Sequence, residues 1–540
     1  MIARPAPLCS KGQLTRHDYD LLNRRTLTTY HDTSTIAYAY DGANRLTQIN
    51  DSTDTGDPIT CEHDTLDRLT SESSTRERIS YGYDIAGRRT SRTLGVGNTS
   101  ASYGYDANDR LTQITQGTQS VTVGYDTADR RTSLTLPNGI RIEYGYDQAS
   151  RLTGLTYKLG SATLGTLTYG YDKNGQRTQV GGSLARTNLP APVSSATYDA
   201  ANQILTFDGF PVTHDANGNL TSLDGDTFTW NVRDQLVGIV GSGLSASFGY
   251  DGFGRRITKA LNGQSTTFAH DGVNVVEEFS GGSLSASLLT GLTVDEVFSR
   301  TEAGTTRFFL PDVLGSTVAL TDSASQVQTE YTYAPFGRTT VTGAASTNTF
   351  QFTGRENDGL TGLYYYRARY YHPVLQRFIS EDPIGFAGGD VNLYGYVGNR
   401  PIDLIDPRGT DTIGAGIQTG VSLLANQIQA TTQLVIDDSG NVGFAATLCY
   451  GGVTEAAGFY LGGVGSVGTT PTIEGLSGPS VDVGSIVSAP IPLVPSPAAG
   501  GSVTSSSSGT TFNVCGGINL GVSPVDTSGM SCRTVVVPLF

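Results

Sequence analysis

A Tyr-Asp pair, followed four residues after the Asp by an Arg, recurs along this chain at intervals of roughly twenty residues. The Asp of each unit, counting variants in which another residue precedes it, lies at positions 20, 41, 64, 84, 106, 126, 147, 172, 199, 215, 251 and 271. Self-similarity at such a period is typical of stacked supersecondary units, none of which buries its apolar face alone. The repeat therefore predicts an array of similar units.

One repeat, residues 102–114, has the pattern of a β-hairpin. Its sequence is Ser-Tyr-Gly-Tyr-Asp-Ala-Asn-Asp-Arg-Leu-Thr-Gln-Ile, in which an alternating aromatic segment leads through a polar break into a second alternating segment. Period-2 patterning on both sides of an Asp/Asn-rich break predicts two strands and a turn. We expect the repeated Asp and Arg to pair around each turn. The alternative is a row of Asp side chains that bind carbohydrate or cations.

The composition favours a β-rich folded chain over a disordered one. Only 16% of the 540 residues are charged and 68 are Gly, whereas disorder is typical of high net charge and low hydrophobicity. A net charge of −15 argues against nucleic acid as a partner. The six His and five Cys show no metal-binding spacing, so neither a metal nor a cofactor is expected.

The start of the chain lacks the apolar stretch that a signal peptide needs. A repeat-like stretch begins almost at once, at residues 17–20, and no run of 18 apolar residues suggests a membrane-spanning helix. We therefore expect this chain to be the C-terminal part of a longer protein, or to be exported by a dedicated system.

The character of the sequence changes at about residue 307. Residues 307–409 contain, in order, Arg-Phe-Phe-Leu-Pro-Asp-Val-Leu-Gly-Ser, Tyr-Thr-Tyr-Ala-Pro-Phe-Gly-Arg, Gln-Phe-Thr-Gly-Arg, Gly-Leu-Tyr-Tyr-Tyr-Arg-Ala-Arg-Tyr-Tyr, Arg-Phe-Ile-Ser-Glu-Asp-Pro-Ile-Gly, Asn-Leu-Tyr-Gly-Tyr and Asp-Pro-Arg-Gly. The order and spacing of these motifs resemble the core domain of Rhs/YD-repeat proteins, which are relatives of the C subunits of bacterial toxin complexes. The resemblance covers roughly residues 17–409.

The resemblance implies an all-β fold in three parts. Residues 1–300 would form a spiral, cocoon-like shell of YD repeats around a hollow interior, and residues 301–409 a core that plugs one end. Residues 410–540, where the family carries a variable toxin domain, would form a small Gly-rich domain that contains β-strands. Because stacked hairpins twist, we expect the shell and core to share one continuous curved sheet.

Two similar turn sequences in the core carry carboxylates that could form a reactive pair. Asp382 lies in Glu-Asp-Pro-Ile-Gly and Asp406 in Ile-Asp-Pro-Arg-Gly. Two carboxylates brought together share a proton, so that one can activate water while the other protonates a peptide. A nearby guanidinium could orient one of them. Spacing alone is weak support, because Asp-Pro sequences are usually just turns.

The resemblance implies more, because the family's core domain carries a self-cleaving aspartyl site. Carried over, Asp382 and Asp406 would be the catalytic carboxylates and Arg369 the orienting cation. The chain would be cut just after the second motif, between Gly409 and Thr410. This chain departs from the family pattern at Thr410, where Leu is usual, and at a His that replaces the usual Asp after Arg-Tyr-Tyr.

Residues 410–540 differ in composition from the rest of the chain, since they contain one Arg and neither Lys nor His. Such a segment is poorly equipped to bind phosphates or to run His-based phosphodiester chemistry, which argues against a nuclease. Three alternatives stay open: a β domain of unknown role, a membrane-perturbing effector, and a degenerate remnant. Cys515 and Cys532 could form a disulfide if this part is exported.

These features predict a secreted or cell-surface delivery shell that encloses its own C-terminal domain as cargo and releases it by self-cleavage. Such a protein would act in competition between bacteria or on a host, with an immunity protein and a secretion apparatus as partners. The alternative is a structural or adhesive surface protein whose Tyr-rich repeats bind glycans or neighbouring cells. Membrane is a further expected target of the C-terminal domain, and nucleic acid is not.

Overall fold

The structure is a computed structural model of the 540-residue sequence. Backbone and side chains are described for residues 14–54, 57–97, 99–190 and 192–410. The backbone alone is described for strands at 2–5, 413–414, 429–436, 442–450, 503–506, 509–512, 521–522 and 531–539. Residues Met1–Thr419 form one compact unit and Gly420–Phe540 form a second.

The first unit begins with a 17-stranded antiparallel meander, called sheet 1, in which each strand pairs with the next along the chain. Its strands are β1 (Ile2–Pro5), β2 (Arg16–Tyr19), β3 (Arg25–Thr29), β4 (Thr35–Tyr40), β5 (Leu46–Asp51), β6 (Ile59–His63), β7 (Leu69–Ser73), β8 (Arg78–Tyr83), β9 (Arg89–Leu94), β10 (Ser100–Tyr105), β11 (Leu111–Gln116), β12 (Gln119–Tyr125), β13 (Arg131–Thr135), β14 (Ile140–Tyr146), β15 (Leu152–Leu159), β16 (Ala162–Tyr171) and β17 (Arg177–Gly181).

A second, 16-stranded meander, called sheet 2, follows with the same neighbour-to-neighbour pairing. Its strands are β18 (Ala196–Tyr198), β19 (Ile204–Phe207), β20 (Phe210–His214), β21 (Leu220–Leu223), β22 (Asp226–Trp230), β23 (Leu236–Gly241), β24 (Leu244–Tyr250), β25 (Arg256–Leu261), β26 (Gln264–Asp271), β27 (Asn274–Ser280), β28 (Ser283–Thr290), β29 (Val297–Glu302), β30 (Thr305–Pro311), β31 (Thr317–Thr321), β32 (Val327–Tyr333) and β33 (Thr339–Gly343).

The expected all-β shell of antiparallel hairpins is confirmed, but the expectation of one continuous sheet is wrong. The chain leaves sheet 1 at Gly181 and enters sheet 2 at Ala196. The connecting segment includes Pro190 and Pro192, which lack the N–H that ladder pairing needs. Division of the chain at residues 300 and 409 stays a prediction.

The core segment after sheet 2 is built from short elements. It contains β34 (Glu356–Asn357), β35 (Tyr364–Tyr366), β36 (Arg369–His372) and β37 (Arg377–Phe378), which form a four-stranded sheet, and the pair β38 (Leu404–Ile405) and β39 (Ile413–Gly414). Single-turn 3₁₀ helices lie at Phe352–Gly354, Gly359–Thr361, Gly385–Gly388 and Val397–Asn399. In the part of the chain that the structure describes, no helix is long and apolar enough to cross a membrane.

The second unit contains β40 (Gln429–Ile436), β41 (Val442–Tyr450), β42 (Val503–Ser506), β43 (Gly509–Phe512), β44 (Gly521–Val522) and β45 (Ser531–Leu539). Strands β40, β41, β45 and β44 pair in that order, and β42 pairs with β43. The expectations about the activity of residues 410–540 and about a disulfide between Cys515 and Cys532 lie outside the residues whose side chains the structure describes.

Each repeat of sheet 1 folds around a bulge at its Tyr and a turn held by its Asp. In the repeat between β10 and β11 the strand register shifts at Tyr105. The next residue, Asp106, accepts hydrogen bonds at Oδ1 from the backbone N–H groups of Asn108, at 2.9 Å, and Arg110, at 3.0 Å. Its Oδ2 accepts one from Arg110 Nε at 2.8 Å. The Asp side chain therefore accepts hydrogen bonds from the backbone N–H groups of the turn and holds the Arg guanidinium beside it, as expected.

The same guanidinium joins its repeat to the next one along the chain. Arg110 Nη1 donates to the Asp126 carbonyl at 3.0 Å and to Asp129 Oδ1 at 2.8 Å. The guanidinium stacks on the Tyr125 ring, with 5.0 Å between the guanidinium carbon and the ring centroid. Tyr125 in turn donates its hydroxyl to the Leu111 carbonyl at 2.9 Å. One Arg thus fixes the spacing and rotation of two neighbouring hairpins.

The inter-repeat contacts recur along sheet 1 with little change. The guanidinium groups that stack on the Tyr of the following repeat are those of Arg24, Arg68, Arg88, Arg110, Arg130 and Arg151. The Tyr hydroxyls that donate to a carbonyl of the preceding repeat are those of Tyr40, Tyr83, Tyr105, Tyr125, Tyr146 and Tyr171. The sequence repeat therefore corresponds to a repeated set of Arg and Tyr contacts between neighbouring repeats.

Sheets 1 and 2 pack against each other through a shared apolar core. Buried residues of β10–β16, such as Ile114 and Ile142, belong to one cluster with Phe308 and Leu310 of sheet 2. Ion pairs also join the sheets, among them Arg89 with Asp271, Arg131 with Glu296, Arg233 with Asp51, and Arg255 with Glu72. Burial of the apolar faces supplies most of the stabilisation, and the ion pairs fix the register.

The core segment is held to sheet 2 by a buried charge network. Arg256 of β25, 1% exposed, pairs through Nη2 with Glu356 at 2.7 Å and through Nη1 with Asp358. Lys259 of the same strand contacts Asp358 at 3.1 Å. The Arg256 guanidinium also lies over the Tyr365 ring at 4.2 Å. Removal of one partner would leave an uncompensated buried charge, so these contacts act as a unit.

A cavity of about 90 Å³ lies between the sheets and the core segment. Its lining includes Arg131, Glu296, Asp312 and, from the core segment, Ile405 and Pro407. Burial raises the pKa of the Asp312 carboxyl from 3.8 to about 6. The same carboxyl accepts hydrogen bonds from the N–H groups of Leu314 and Ser316, each at 2.8 Å.

Replacement of a turn Asp should loosen its repeat. Asp126→Ala removes three hydrogen bonds, two from backbone N–H groups and one from Arg130, and should cost about 1–2 kcal/mol of local stability. Hydrogen exchange should be faster at the amides of residues 128 and 130. Asp129→Asn, which changes an Asp whose side chain is 67% exposed, is the control and should leave exchange at residues 128 and 130 nearly unchanged. Equal effects of the two changes would contradict the proposed role of the turn Asp.

Asp312 should make the folded state more stable in mild acid. Because its pKa is about 6 in the folded chain and its ordinary value is 3.8, its contribution is fully present below the ordinary value and is lost as the pH rises through about 6. Asp312→Asn, which keeps the acceptor for both N–H groups, should remove this dependence. Thermal unfolding of both proteins between pH 4 and 7 measures the difference, and parallel pH profiles would contradict the assignment.

Candidate functional site

Arg369 lies at the start of β36, beside a cluster of buried aromatic residues. Strand β35, whose three residues are all buried Tyr, pairs with β36 across a two-residue turn. Tyr366 and Tyr371 belong to an apolar cluster with Phe378. The Arg369 guanidinium lies over the Phe378 ring, 3.7 Å from its centroid, and the side chain is 3% exposed. The aromatic packing therefore fixes where this cation points.

Asp382 is oriented by the turn that follows β37. Its backbone N–H donates to the Leu393 carbonyl at 2.9 Å, and its carbonyl accepts from Gly385 at 2.9 Å. Its Oδ1 accepts from the Ile384 N–H at 3.0 Å, as the side chain of a turn Asp commonly does. The other oxygen, Oδ2, lies 3.0 Å from Arg369 Nη2. Asp382, one of the two carboxylates expected to contact Arg369, therefore does contact it.

Asp406 follows β38 and contacts the same nitrogen of the cation. Its Oδ2 lies 3.5 Å from Arg369 Nη2, and its side chain is 3% exposed. Its Oδ1 accepts hydrogen bonds from the N–H of Gly409 at 2.7 Å and from that of Thr410 at 3.1 Å. Two carboxylates that are 24 residues apart in sequence therefore meet at one guanidinium.

The Gly409–Thr410 peptide is held at both of its polar atoms. Arg369 Nε donates to the Gly409 carbonyl oxygen, and Asp406 accepts the Thr410 N–H. Gly409 has a φ of 74°, and a Cβ at this position would lie 2.3 Å from the Tyr366 carbonyl oxygen. A residue other than Gly would therefore move the peptide away from Arg369.

A small cavity of about 20 Å³ adjoins these groups. Arg369, Asp382, Asp406 and Thr410 line it, together with Asp390. Its volume is sufficient for about one water molecule. The described part of the chain contains no group of three or more His, Cys, Asp and Glu residues placed to hold a metal ion. The arrangement thus combines two carboxylates, one cation, a peptide bond and space for water.

The structure brings together all five residues expected at the site, which are Arg369, Asp382, Asp406, Gly409 and Thr410. The departure at His372 has a structural explanation, because its Nδ1 accepts hydrogen bonds from the N–H groups of Val374 and Leu375. Burial lowers the pKa of this His to about 4, so it is a neutral acceptor.

Sequence reasoning missed Asp390 and Arg367. Asp390 lines the small cavity, and Arg367 contacts the Pro407 carbonyl. The position of Arg367 in the same Arg-Ala-Arg motif as Arg369 was a signal for it. No comparable signal marks Asp390, because it reaches the site through the fold of the loop that follows Asp382.

Comparison with known proteins gives the family. The teneurin YD-shell family model matches residues 10–141 and 138–402, which is more than half of the chain. This chain belongs to that family. The YD-repeat resemblance drawn from its motifs is therefore confirmed.

Several curated relatives of this teneurin YD-shell family member are named as toxins or nucleases. The tRNA3(Ser)-specific nuclease WapA of Bacillus spizizenii is 32% identical over 254 residues, covering 45% of this chain and 11% of that protein. Toxin subunit YenC1 of Yersinia entomophaga is 29% identical over 279 residues, covering 45% of this chain and 28% of that protein. This chain therefore spans less than a third of the length of either relative.

A solved structure supports the fold. The crystal structure of TcdB2-TccC3-TEV matches with a TM-score of 0.51 and 18% sequence identity, covering 73% of this chain and 27% of that chain. At this identity the likeness extends to the fold alone.

Proposed function

We propose that this chain is the shell and core of a toxin-delivery protein, and that the core cuts its own chain between Gly409 and Thr410. The observation that carries this proposal is the clamp on the Gly409–Thr410 peptide. Arg369 donates to its carbonyl oxygen, Asp406 accepts its N–H, and Asp382 reaches the same guanidinium. A buried cation and two carboxylates are thus gathered at one peptide bond, with Arg369 and Asp406 in contact with it and Asp382 in contact with Arg369.

The proposed reaction is hydrolysis by a carboxylate pair. Arg369 polarises the Gly409 carbonyl and stabilises the negative charge that develops on its oxygen. Asp382 takes a proton from a water in the small cavity as that water attacks the carbonyl carbon. Asp406, in the protonated form of the pair, delivers a proton to the Thr410 nitrogen as the peptide bond breaks. The products are a carboxyl group on Gly409 and an amino group on Thr410.

The Thr at position 410 is compatible with this reaction. The contacts that hold the peptide use the carbonyl of Gly409 and the N–H of Thr410, and neither involves the Thr410 side chain. A Leu-to-Thr departure from the family pattern therefore leaves the clamp intact. We expect the cut to occur in this chain.

Strand pairing across the cut would hold the products together. Leu404 pairs with Gly414 and Ile405 with Ile413, on opposite sides of the Gly409–Thr410 bond. The new amino terminus would therefore stay paired with the core after hydrolysis. We infer that the C-terminal segment remains as a non-covalently held cargo until the shell opens.

The toxin names of the relatives support a wider proposal about where the protein acts. We propose that the protein acts outside the cell that makes it, with its own C-terminal segment as cargo and with an immunity protein and a secretion apparatus as partners. The nuclease activity in the name of WapA is not transferred, because residues 410–540 contain a single Arg and neither Lys nor His. A membrane is the target that this low charge favours.

Self-cleavage should yield two fragments that separate at Gly409 and Thr410. Intact mass spectrometry of the freshly expressed chain should show both, and gel filtration without denaturant should show them together. Asp382→Asn and Asp406→Asn should each slow cleavage by about a hundredfold or more, because each removes one carboxylate of the pair.

The control for these variants is Asp390→Asn, which changes a carboxylate that lines the same cavity but bonds the Asn392 N–H of its own loop, at 2.8 Å. It should be cleaved at nearly the parental rate. Identical fragments from Asp382→Asn, Asp406→Asn and the parent would refute the aspartyl mechanism. An uncut parent would refute self-cleavage at this site.

A further inference from the structure

Three consecutive residues of the core hold the three consecutive carbonyls that precede the proposed cut. Arg367 donates through Nη1 to the Pro407 carbonyl. The Ala368 N–H donates to the Arg408 carbonyl at 3.1 Å. Arg369 donates through Nε to the Gly409 carbonyl. The turn between β35 and β36 therefore grips the chain in a single register, and a slip by one residue would break all three bonds.

Arg367 has a backbone conformation that its residue type does not favour. It lies in the two-residue turn of the β35–β36 hairpin with a φ of 61°. Gly is the residue that this region favours, and a bulky side chain there is uncommon. An Arg at such a position points to a role for its side chain.

The Arg367 guanidinium is anchored to sheet 2 by Asp295. Its Nη2 lies 2.6 Å from Asp295 Oδ1, and its Nη1 lies 3.2 Å from Oδ2. The Asp295 carboxylate also binds Arg355 of the core segment, while the Asp295 N–H donates to Asn274 Oδ1 at 3.0 Å. Asp295 itself lies between β28 and β29, and its φ is 66°.

We propose that Arg367 is a positioning residue for the cut, and that the Asp295–Arg367 pair makes the placement of the Gly409–Thr410 peptide depend on sheet 2. This inference rests on the proposed function. Arg367 contacts the Pro407 carbonyl, two residues upstream of Gly409, and acts by fixing it. Chain that has not yet docked against the loop between β28 and β29 lacks this contact, so cleavage follows assembly of the shell and core.

The positive φ of Arg367 suggests an informative substitution at this position. Arg367→Gly removes the guanidinium and its pairing with Asp295 while relieving the positive φ, and thermal unfolding checks that the variant stays folded. Gln376→Gly is the matched control, because Gln376 has a φ of 59° in the turn that joins β36 to β37, away from the β35–β36 turn that binds Pro407. Asp295→Asn tests the link to sheet 2 with almost no change of shape.

The cleavage rate is measured by pulse-chase in cell-free translation. Arg367→Gly should slow the cut by about tenfold to a hundredfold, which is the effect of a modest misplacement of reacting atoms. Asp295→Asn should also slow cleavage, and Gln376→Gly should leave the cleavage rate unchanged. Added methylguanidinium should partly restore cleavage of the Arg367→Gly protein, which a merely structural defect would not allow. An unchanged rate in Arg367→Gly, or equal slowing in Gln376→Gly, would overturn the proposal.

A second measurement separates this inference from the proposed function. Hydrogen exchange at the amides of Gly409 and Thr410 is followed in the Asp382→Asn background, where the chain stays intact. Adding Arg367→Gly should speed exchange at both amides by about tenfold, whereas adding Gln376→Gly should not. If the parent is never cut, the proposed function fails, yet this exchange still decides whether Arg367 positions the peptide. Unchanged exchange would overturn the positioning role even in a chain that cleaves.

Discussion

The contact on which most of this fold depends is the one between the Arg of one repeat and the Asp and Tyr of the next. In the pair of repeats around β11 and β12, Arg110 binds its own Asp106, the Asp126 carbonyl and the face of Tyr125. Each bond is modest for a half-exposed group, but its repetition fixes every hairpin relative to its neighbour. The strands therefore pair in chain order. The apolar faces are then presented as continuous surfaces, and their burial between sheets 1 and 2 supplies the stabilisation.

Where the sequence repeat becomes irregular, long-range polar contacts fix the position of the chain. In the second half of the unit the core segment is fixed by buried groups, such as Arg256 with Asp358, and Arg355 with Asp295. Such contacts add little net stability but are costly to break, so they select one docking arrangement of the core against sheet 2. The candidate site inherits its geometry from this arrangement, because Arg369 and Arg367 lie at the turn that the docked core presents to residues 407–410.

The parts of this structure that local chemistry determines could be predicted from the sequence. The hairpins and the Asp-Arg turns follow from a short repeated pattern, and the Pro residues near position 190 were an overlooked signal for the break between the sheets. Spacing could not bring Asp382 to Asp406, and the family motifs supplied that expectation. Asp295 escaped prediction because its contacts with Arg355 and Arg367 join distant parts of the chain, and Asp390 because the fold of its loop alone places it at the cavity. The positive φ of Gly409 likewise depends on the close approach of the Tyr366 carbonyl.

Under the proposed function the cut has to follow enclosure of the cargo, and the proposed role of Arg367 meets that requirement. Arg369, Asp382 and Asp406 all lie in the core segment. Their contacts with one another therefore do not involve sheet 2. The placement of the peptide, however, also uses Arg367, whose guanidinium is held by Asp295 of sheet 2. Under the proposed role of Arg367, its pairing with Asp295 limits the orientations in which the Gly409 carbonyl meets the Arg369 guanidinium. The same three-carbonyl grip that would permit hydrolysis would thus also delay it until the shell has formed.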